Sequence, residues 1–205
     1  MSKILTTPKG KAVYPYLDTA DTKFNDNGLY SVKLHVDEGS FNSFKLVVDD
    51  LYNAAYEQEK TRRGKPKLRK ASSSPLRITD EGDFEIYAKQ EAQKMTKTKG
   101  LLKFNVVAFN AAGDKIKMPP VGGGSELALA VEPNFWYVDS QGFGYTLRLK
   151  AVQIIDLVEK TGGDMSGVFA SVEGFSGGET FTDELTNDAQ TQTVVSKETE
   201  DDFSF

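Results

Sequence analysis

The 205-residue chain has no cysteine and one histidine, His35. Without thiols there are no disulfide staples and no Cys-based zinc sites, a composition that fits a reducing compartment. A single imidazole rules out a His-rich metal site and leaves a His-dependent triad without support. Long apolar runs are missing as well. Nothing approaches the roughly 18 residues of a membrane span, and the start, Met-Ser-Lys-Ile-Leu-Thr-Thr-Pro, lacks the apolar core of a signal peptide. Gly122-Gly-Gly124 is not followed by lysine, so there is no phosphate-cradling P-loop. Carboxylates are plentiful but ungrouped: Asp49 and Asp50 are neighbours on a helix, and Asp80, Glu81 and Asp83 straddle a glycine turn. A carboxylate-only metal nuclease therefore has nothing specific in its favour. These absences predict a soluble intracellular protein that is not an enzyme, with no cofactor, no metal and no membrane association.

What is present is a division of charge. Residues 1–160 carry 24 Lys and Arg against 20 Asp and Glu, whereas residues 161–205 carry one basic residue, Lys197, against 10 acids. A mildly basic body (1–160) joined to an acidic tail (161–205) is expected to form an intramolecular pair of opposite sign. From Thr161 onward the apolar periodicity disappears, and the segment buries too little to order on its own. The tail ends Glu198-Thr-Glu200-Asp201-Asp202-Phe203-Ser-Phe205. A purely solvating tail is the alternative, but it has no need of Phe203 and Phe205, so these six acidic and aromatic residues are the candidate partner-binding set.

The body reads mainly as strand. Expected strands cover 11–17 (with Pro15 confining it to an edge or bulge), 29–36, 83–88, 101–109, 126–131 and 144–158. The 101–109 run looks buried on both faces. One helix interrupts them. Ser40 is a candidate N-cap, and Phe41, Phe44, Val48, Leu51, Tyr52 and Ala55 form an apolar stripe that ends near Arg63-Gly64. A mainly β chain with one helix suits an OB-fold, a five-stranded Greek-key β-barrel with an inserted α-helix, although patterning alone also allows a sandwich.

Three clusters carry candidate chemistry. Lys60–Lys70 holds seven basic residues in eleven and no acid, among them Arg62, Arg63, Lys65, Lys67, Arg69 and Lys70. Gly64 and Pro66 break the helix there, so the charges are expected on a mobile loop able to track phosphates; a solvated helix end is the alternative. Lys94, Lys97 and Lys99, with Lys89 and Lys103 near them, form a second, weaker basic cluster. Phe135-Trp136-Tyr137 is the densest aromatic group, and unpaired bases stack on such rings. Strand alternation puts Phe135 and Tyr137 on one face and Trp136 on the other. Phe135 and Trp136 each fit either core or groove. Tyr14 and Tyr16 share a face of the first strand and are a lesser candidate.

Taken together, Met118-Pro-Pro-Val-Gly-Gly-Gly-Ser-Glu-Leu through Pro133-Asn-Phe-Trp136, the final Leu147–Val158 strand, the helix with its Arg63-Gly-Lys loop, and the acidic tail ending in Phe carry a resemblance. In this order the chain resembles the single-stranded DNA-binding proteins of T-seven-like podophages over essentially its whole length. The resemblance implies an OB-fold that coats single-stranded DNA in phage replication and recombination, and strand annealing. It further implies a homodimer, a tail that contacts the phage DNA polymerase and primase-helicase, and a location in the cytoplasm of the infected bacterial host. Arg63 falls where the family has a basic residue used in DNA interaction, and Trp136 falls on its groove tryptophan. Asn134 replaces a family tyrosine. The competing reading is a protein-interaction module, a host-takeover or assembly factor acting through its acidic tail without binding DNA.

Overall fold

The computed structural model describes residues 3–160 apart from 24, 97 and 99. The acidic segment with Glu198, Glu200, Asp201, Asp202, Phe203 and Phe205, and the side chains of Lys97 and Lys99, lie outside the described residues. The elements are β1 (Leu5–Thr6), β2 (Gly10–Asp21), β3 (Leu29–Val36), α1 (Glu38–Arg63), β4 (Leu76–Ile78) and β5 (Phe84–Glu91). They continue as β6 (Gln93–Thr96), β7 (Gly100–Lys103), β8 (Val107–Phe109), β9 (Lys115–Ile116), β10 (Glu126–Val138) and β11 (Gly142–Asp156).

Five of these strands close on themselves. β2 pairs with β3, β3 with β5, and β5 runs parallel to β11; β11 pairs with β10, which returns to β2 through Glu126↔Lys11 and Leu127↔Gly10. Closure removes the open edges that a flat sheet exposes. Inside the barrel, alternate residues meet: Val32, Leu34, Ile86, Leu129, Val131, Leu147 and Leu149 are each at most 1% exposed. Their partners in alternation, such as Ser31, Lys33, Lys89 and Arg148, point outward.

The helix begins earlier than the sequence suggests. Asp37, not Ser40, is the N-cap: its Oδ1 accepts the Ser40 N–H at 2.9 Å. Both residue types cap well, and Asp37 prevails because it adds a negative charge at the positive end of the helix dipole. Gly64 ends α1 with φ 62° and donates its N–H to the Thr61 carbonyl, as glycine does at left-handed C-caps. The apolar stripe packs onto the barrel: Phe41 lies 5.3 Å from Phe84, and Tyr52 lies 5.2 Å from Phe143 and 5.5 Å from Tyr145, ring centre to ring centre.

The expected single strand over 101–109 is instead split. Gly100–Lys103 pairs with Gln93–Thr96 in a separate hairpin, Met95 facing Leu101, and both of these side chains are exposed. Only Val107–Phe109 joins the main sheet, alongside β11. Gly100 at φ 65° makes the hairpin turn possible. Pro119 to Ser125 has a clear structural task. Ser125 is fully buried; its Oγ donates to the Gly122 carbonyl at 2.8 Å and accepts the Val158 N–H at 3.0 Å. A Cβ on Gly122 would sit 2.9 Å from the Val158 carbonyl oxygen, so the glycine permits this close approach.

One carboxylate is buried in the outer layer. Glu85 accepts hydrogen bonds from Arg77 at 2.7 Å and pairs with Lys33 at 3.3 Å, with His35 at 3.8 Å. Burial pushes its carboxyl up, but the Arg77 and Lys33 interactions outweigh burial and hold it below the usual carboxylate range. A group depressed on folding stabilises fully above its unfolded pKa and loses that contribution as pH falls through the folded value. The melting temperature is therefore expected to fall between about pH 5 and pH 3, and Glu85→Gln to flatten that part of the curve. An identical acid limb in the variant would remove Glu85 from the set of responsible groups.

Candidate nucleic-acid interface

The outer face of β3, β5, β11 and β10 carries a continuous groove. Its first part, 280 Å³, is lined by Ser74, Pro75, Tyr87, Lys89, Trp136 and Thr146, among others. Its second part, 560 Å³, shares Lys89 and Thr146 and continues past Lys94, Phe104, Asn134, Arg148 and Lys150. The alternation of β11 produces this lining. Tyr145, Leu147 and Leu149 enter the core, so Thr146 and Arg148 face out. Lys89 and Arg148 are directly paired across the parallel β5–β11 seam.

Charge in the groove is partly spent. Glu132 takes Lys150 at 2.7 Å and Arg148 at 3.8 Å. Lys89 and Lys94 have no carboxylate partner among the described residues, which leaves them available for phosphate. Trp136 forms the aromatic wall. It sits opposite Gly144 in the β10–β11 ladder, and the six-membered ring of its indole occupies the space a side chain at that glycine would need. Burial pushes the phenols of Tyr87 and Tyr145 up, so both remain neutral and able to donate; the Tyr145 hydroxyl is 3.2 Å from Ser74 Oγ.

The candidate residues do not all meet in one place. Trp136 and Lys94 line the groove. Arg62, Arg63, Phe135 and Tyr137 line a separate depression of 470 Å³ on the other side of the β10–β11 hairpin, which Trp136 also touches. Phe135 leans inward against Tyr52, Phe143 and Tyr145, with centroid distances of 6.1 to 6.4 Å. The Arg63 guanidinium rests 3.8 Å from the Tyr137 ring centre.

The basic run holds no acid of its own, but acids just upstream pair with it, and it is not loose. Glu59, one turn upstream, accepts from Arg62 at 2.6 Å and Arg63 at 2.5 Å, and Glu57 pairs with Lys60. Hydrogen bonds from the two arginines hold the Glu59 carboxyl down at about 2. Beyond Gly64, Leu68 is buried and the Tyr56 hydroxyl bonds both its N–H and its carbonyl. Arg69 and Ala71 are tied to Phe143 by backbone hydrogen bonds of 2.7 and 2.8 Å, and the Arg69 side chain donates to Ser140. The expected mobile loop is thus an anchored strip, with Lys65, Lys67, Arg69 and Lys70 exposed along it and the Lys70 ammonium within 5.6 Å of the Tyr52 and Tyr56 rings.

Sequence reasoning passed over Tyr87, Phe104, Arg148 and Lys150. For Arg148 and Lys150 the signal was there: they are the polar positions between Leu147, Leu149 and Ala151 in a strand already recognised.

A closed five-stranded barrel with a parallel seam between its third and fifth strands and one helix after the second is an OB-fold, and here the cationic, aromatic-walled groove runs chiefly over its third, fifth and fourth strands. Solved structures share it. The crystal structure of gp2.5, a single-stranded DNA-binding protein encoded by bacteriophage T7, superposes with a TM-score of 0.67 at 20% identity, over 87% of this chain and 100% of that one. The single-stranded DNA-binding protein from bacteriophage Enc34 in complex with ssDNA gives 0.56 at 14% identity, over 78% and 89%. Its C-terminal truncation gives 0.52 at 14%, over 76% and 87%. No protein-family model matches the chain, and no curated protein matches it in sequence. The chain therefore has the fold of these phage proteins.

Proposed function

We propose that this chain is a non-catalytic single-stranded DNA-binding protein. The observation that carries the reading is the groove itself, where Lys89 lies in the part walled by Trp136 and Lys94 in the adjoining part, neither with a carboxylate partner among the described residues. Lysines there hold phosphates and displace counterions, while the indole stacks on bases with little regard to sequence. The open groove suits an extended strand with splayed bases better than a stacked duplex. The fold shared with two phage proteins described as single-stranded DNA-binding supports the same assignment.

Fluorescence anisotropy with labelled single-stranded and duplex oligonucleotides tests it. Binding should favour the single strand and weaken with salt. Lys89→Ala should lower affinity and make the plot of log K against log salt shallower by about 0.7. No binding, or equal affinity for duplex, would overturn the assignment.

The finer reading follows the resemblance in sequence. Residues 1–160 are the DNA-binding domain and 161–205 a separate acidic segment. The protein coats single strands during phage replication and recombination, promotes annealing, and acts as a homodimer in the cytoplasm of the infected host. The acidic, Phe-ended segment recruits the basic surfaces of polymerase and primase-helicase. Support comes from the charge division between the two parts and from Phe203 and Phe205.

A further inference from the structure

Among the described residues, Tyr14 alone combines a side chain with a positive φ, 47°. A bulky L-residue rarely adopts that conformation, because its Cβ crowds the backbone. The cause is a bulge in β2. Val13 faces Lys33 and Tyr16 faces Ser31, so three steps on β2 match two on β3. Past the bulge, Pro15 and Leu17 take the inward positions, and Tyr14 and Tyr16 both stand outward, 74% and 39% exposed. Val121, Gly122, Gly123 and Lys160 complete a shallow pocket of 220 Å³ around them, and the Lys160 ammonium lies 5.5 Å from the Tyr16 ring centre. Two exposed rings beside a cation match the chemistry of a base flanked by its phosphate.

A row of outward-facing residues links this patch to the groove. Across the strands Tyr16 pairs with Ser31, Ser31 with Lys89, and Lys89 with Arg148, all on the outer face. Strands lie about 4.8 Å apart, so Tyr16 is roughly 10 Å from Lys89, a span of at most about three nucleotides, since an extended strand rises more than the 3.4 Å per nucleotide of B-form DNA. We propose that Tyr14, Tyr16 and Lys160 form a second stacking platform for single-stranded DNA, taken up by the nucleotides that leave the groove over β3. The proposal rests on the groove being a single-stranded DNA site. It adds a direction: the strand crosses β11, β5, β3 and β2 in turn.

The test compares Tyr14→Gly, Tyr16→Ala and Tyr16→Phe with the unsubstituted full chain on labelled oligonucleotides of about 6 and about 20 nucleotides, which bracket the site size of an OB barrel. Glycine accepts a positive φ, so Tyr14→Gly should keep or raise the melting temperature, and any loss of binding is then not a loss of fold. On the long oligonucleotide Tyr14→Gly and Tyr16→Ala should each weaken binding about fivefold or more, and Tyr16→Phe should retain it. On the short one all should match the parent. Unchanged affinity of both truncations for the long strand, with the parent binding normally, overturns the platform and leaves the groove standing. Failure of the parent to bind either length overturns the groove reading and the platform with it.

Discussion

Gly144→Val is expected to remove most of the groove's affinity for single-stranded DNA without touching a single charge. A Cβ at position 144 would lie 2.6 Å from Trp136 Cζ2, 2.7 Å from Cη2 and 2.9 Å from the Ala71 Cβ. The indole is rigid beyond two side-chain torsions, so it must swing off the glycine and away from the wall it forms. The loss should equal that of Trp136→Ala, about 5- to 150-fold for one stacked base, with about 1–3 kcal/mol of stability lost to overpacking. Trp136 is the sole tryptophan, so its emission reports the displacement directly and should shift to the red. Unaltered emission together with unaltered affinity would show that the ring does not depend on this glycine.

Leu147→Ala should be the more damaging change to the fold. Leu147 is completely buried and pairs with Ala88 at the parallel seam that closes the barrel. Truncating such a leucine removes its transfer energy and leaves a cavity, at about 2–5 kcal/mol. For a domain of this size the melting temperature should drop by about 4–20 °C, read by thermal denaturation. Lys89→Ala, next door but on the outer face, should change stability by no more than about 0.5 kcal/mol. Equal melting points for the two variants would contradict the inward and outward assignment of the seam.

The barrel was legible because alternation is a local property. Val32 and Leu34, or Leu147 and Leu149, declare a buried face without reference to any partner, and the Phe41–Val48 stripe does the same for the helix. The hairpin of Gln93–Lys103 was not legible, since Leu101, Leu102 and Phe104 read as core until one knows that Gly100 turns the chain back on itself. The site was legible in part. Trp136 and Lys94 stood out as an aromatic and a charge, and the groove contains both. Whether Arg62 and Arg63 are free depends on Glu59, which lies just outside the basic run but one helical turn away in space. Phe135 and Trp136 are neighbours in sequence, and only the packing of Tyr52, Phe143 and Tyr145 decides which of them turns inward.

The pairing of Lys89 with Arg148 also sets an order of events during synthesis. Among the described residues β11 is the last strand made, yet it supplies partners to β10, β5 and β8. A nascent chain that has not passed Gly142 already displays every cation of the 60–70 strip, but it has no closed barrel and no groove floor. Nonlocal pairings of this kind form late, because the intervening chain must first be ordered. On the proposed reading, the groove that takes an unpaired strand is therefore complete only once β11 is in place, whereas the charge is present before it.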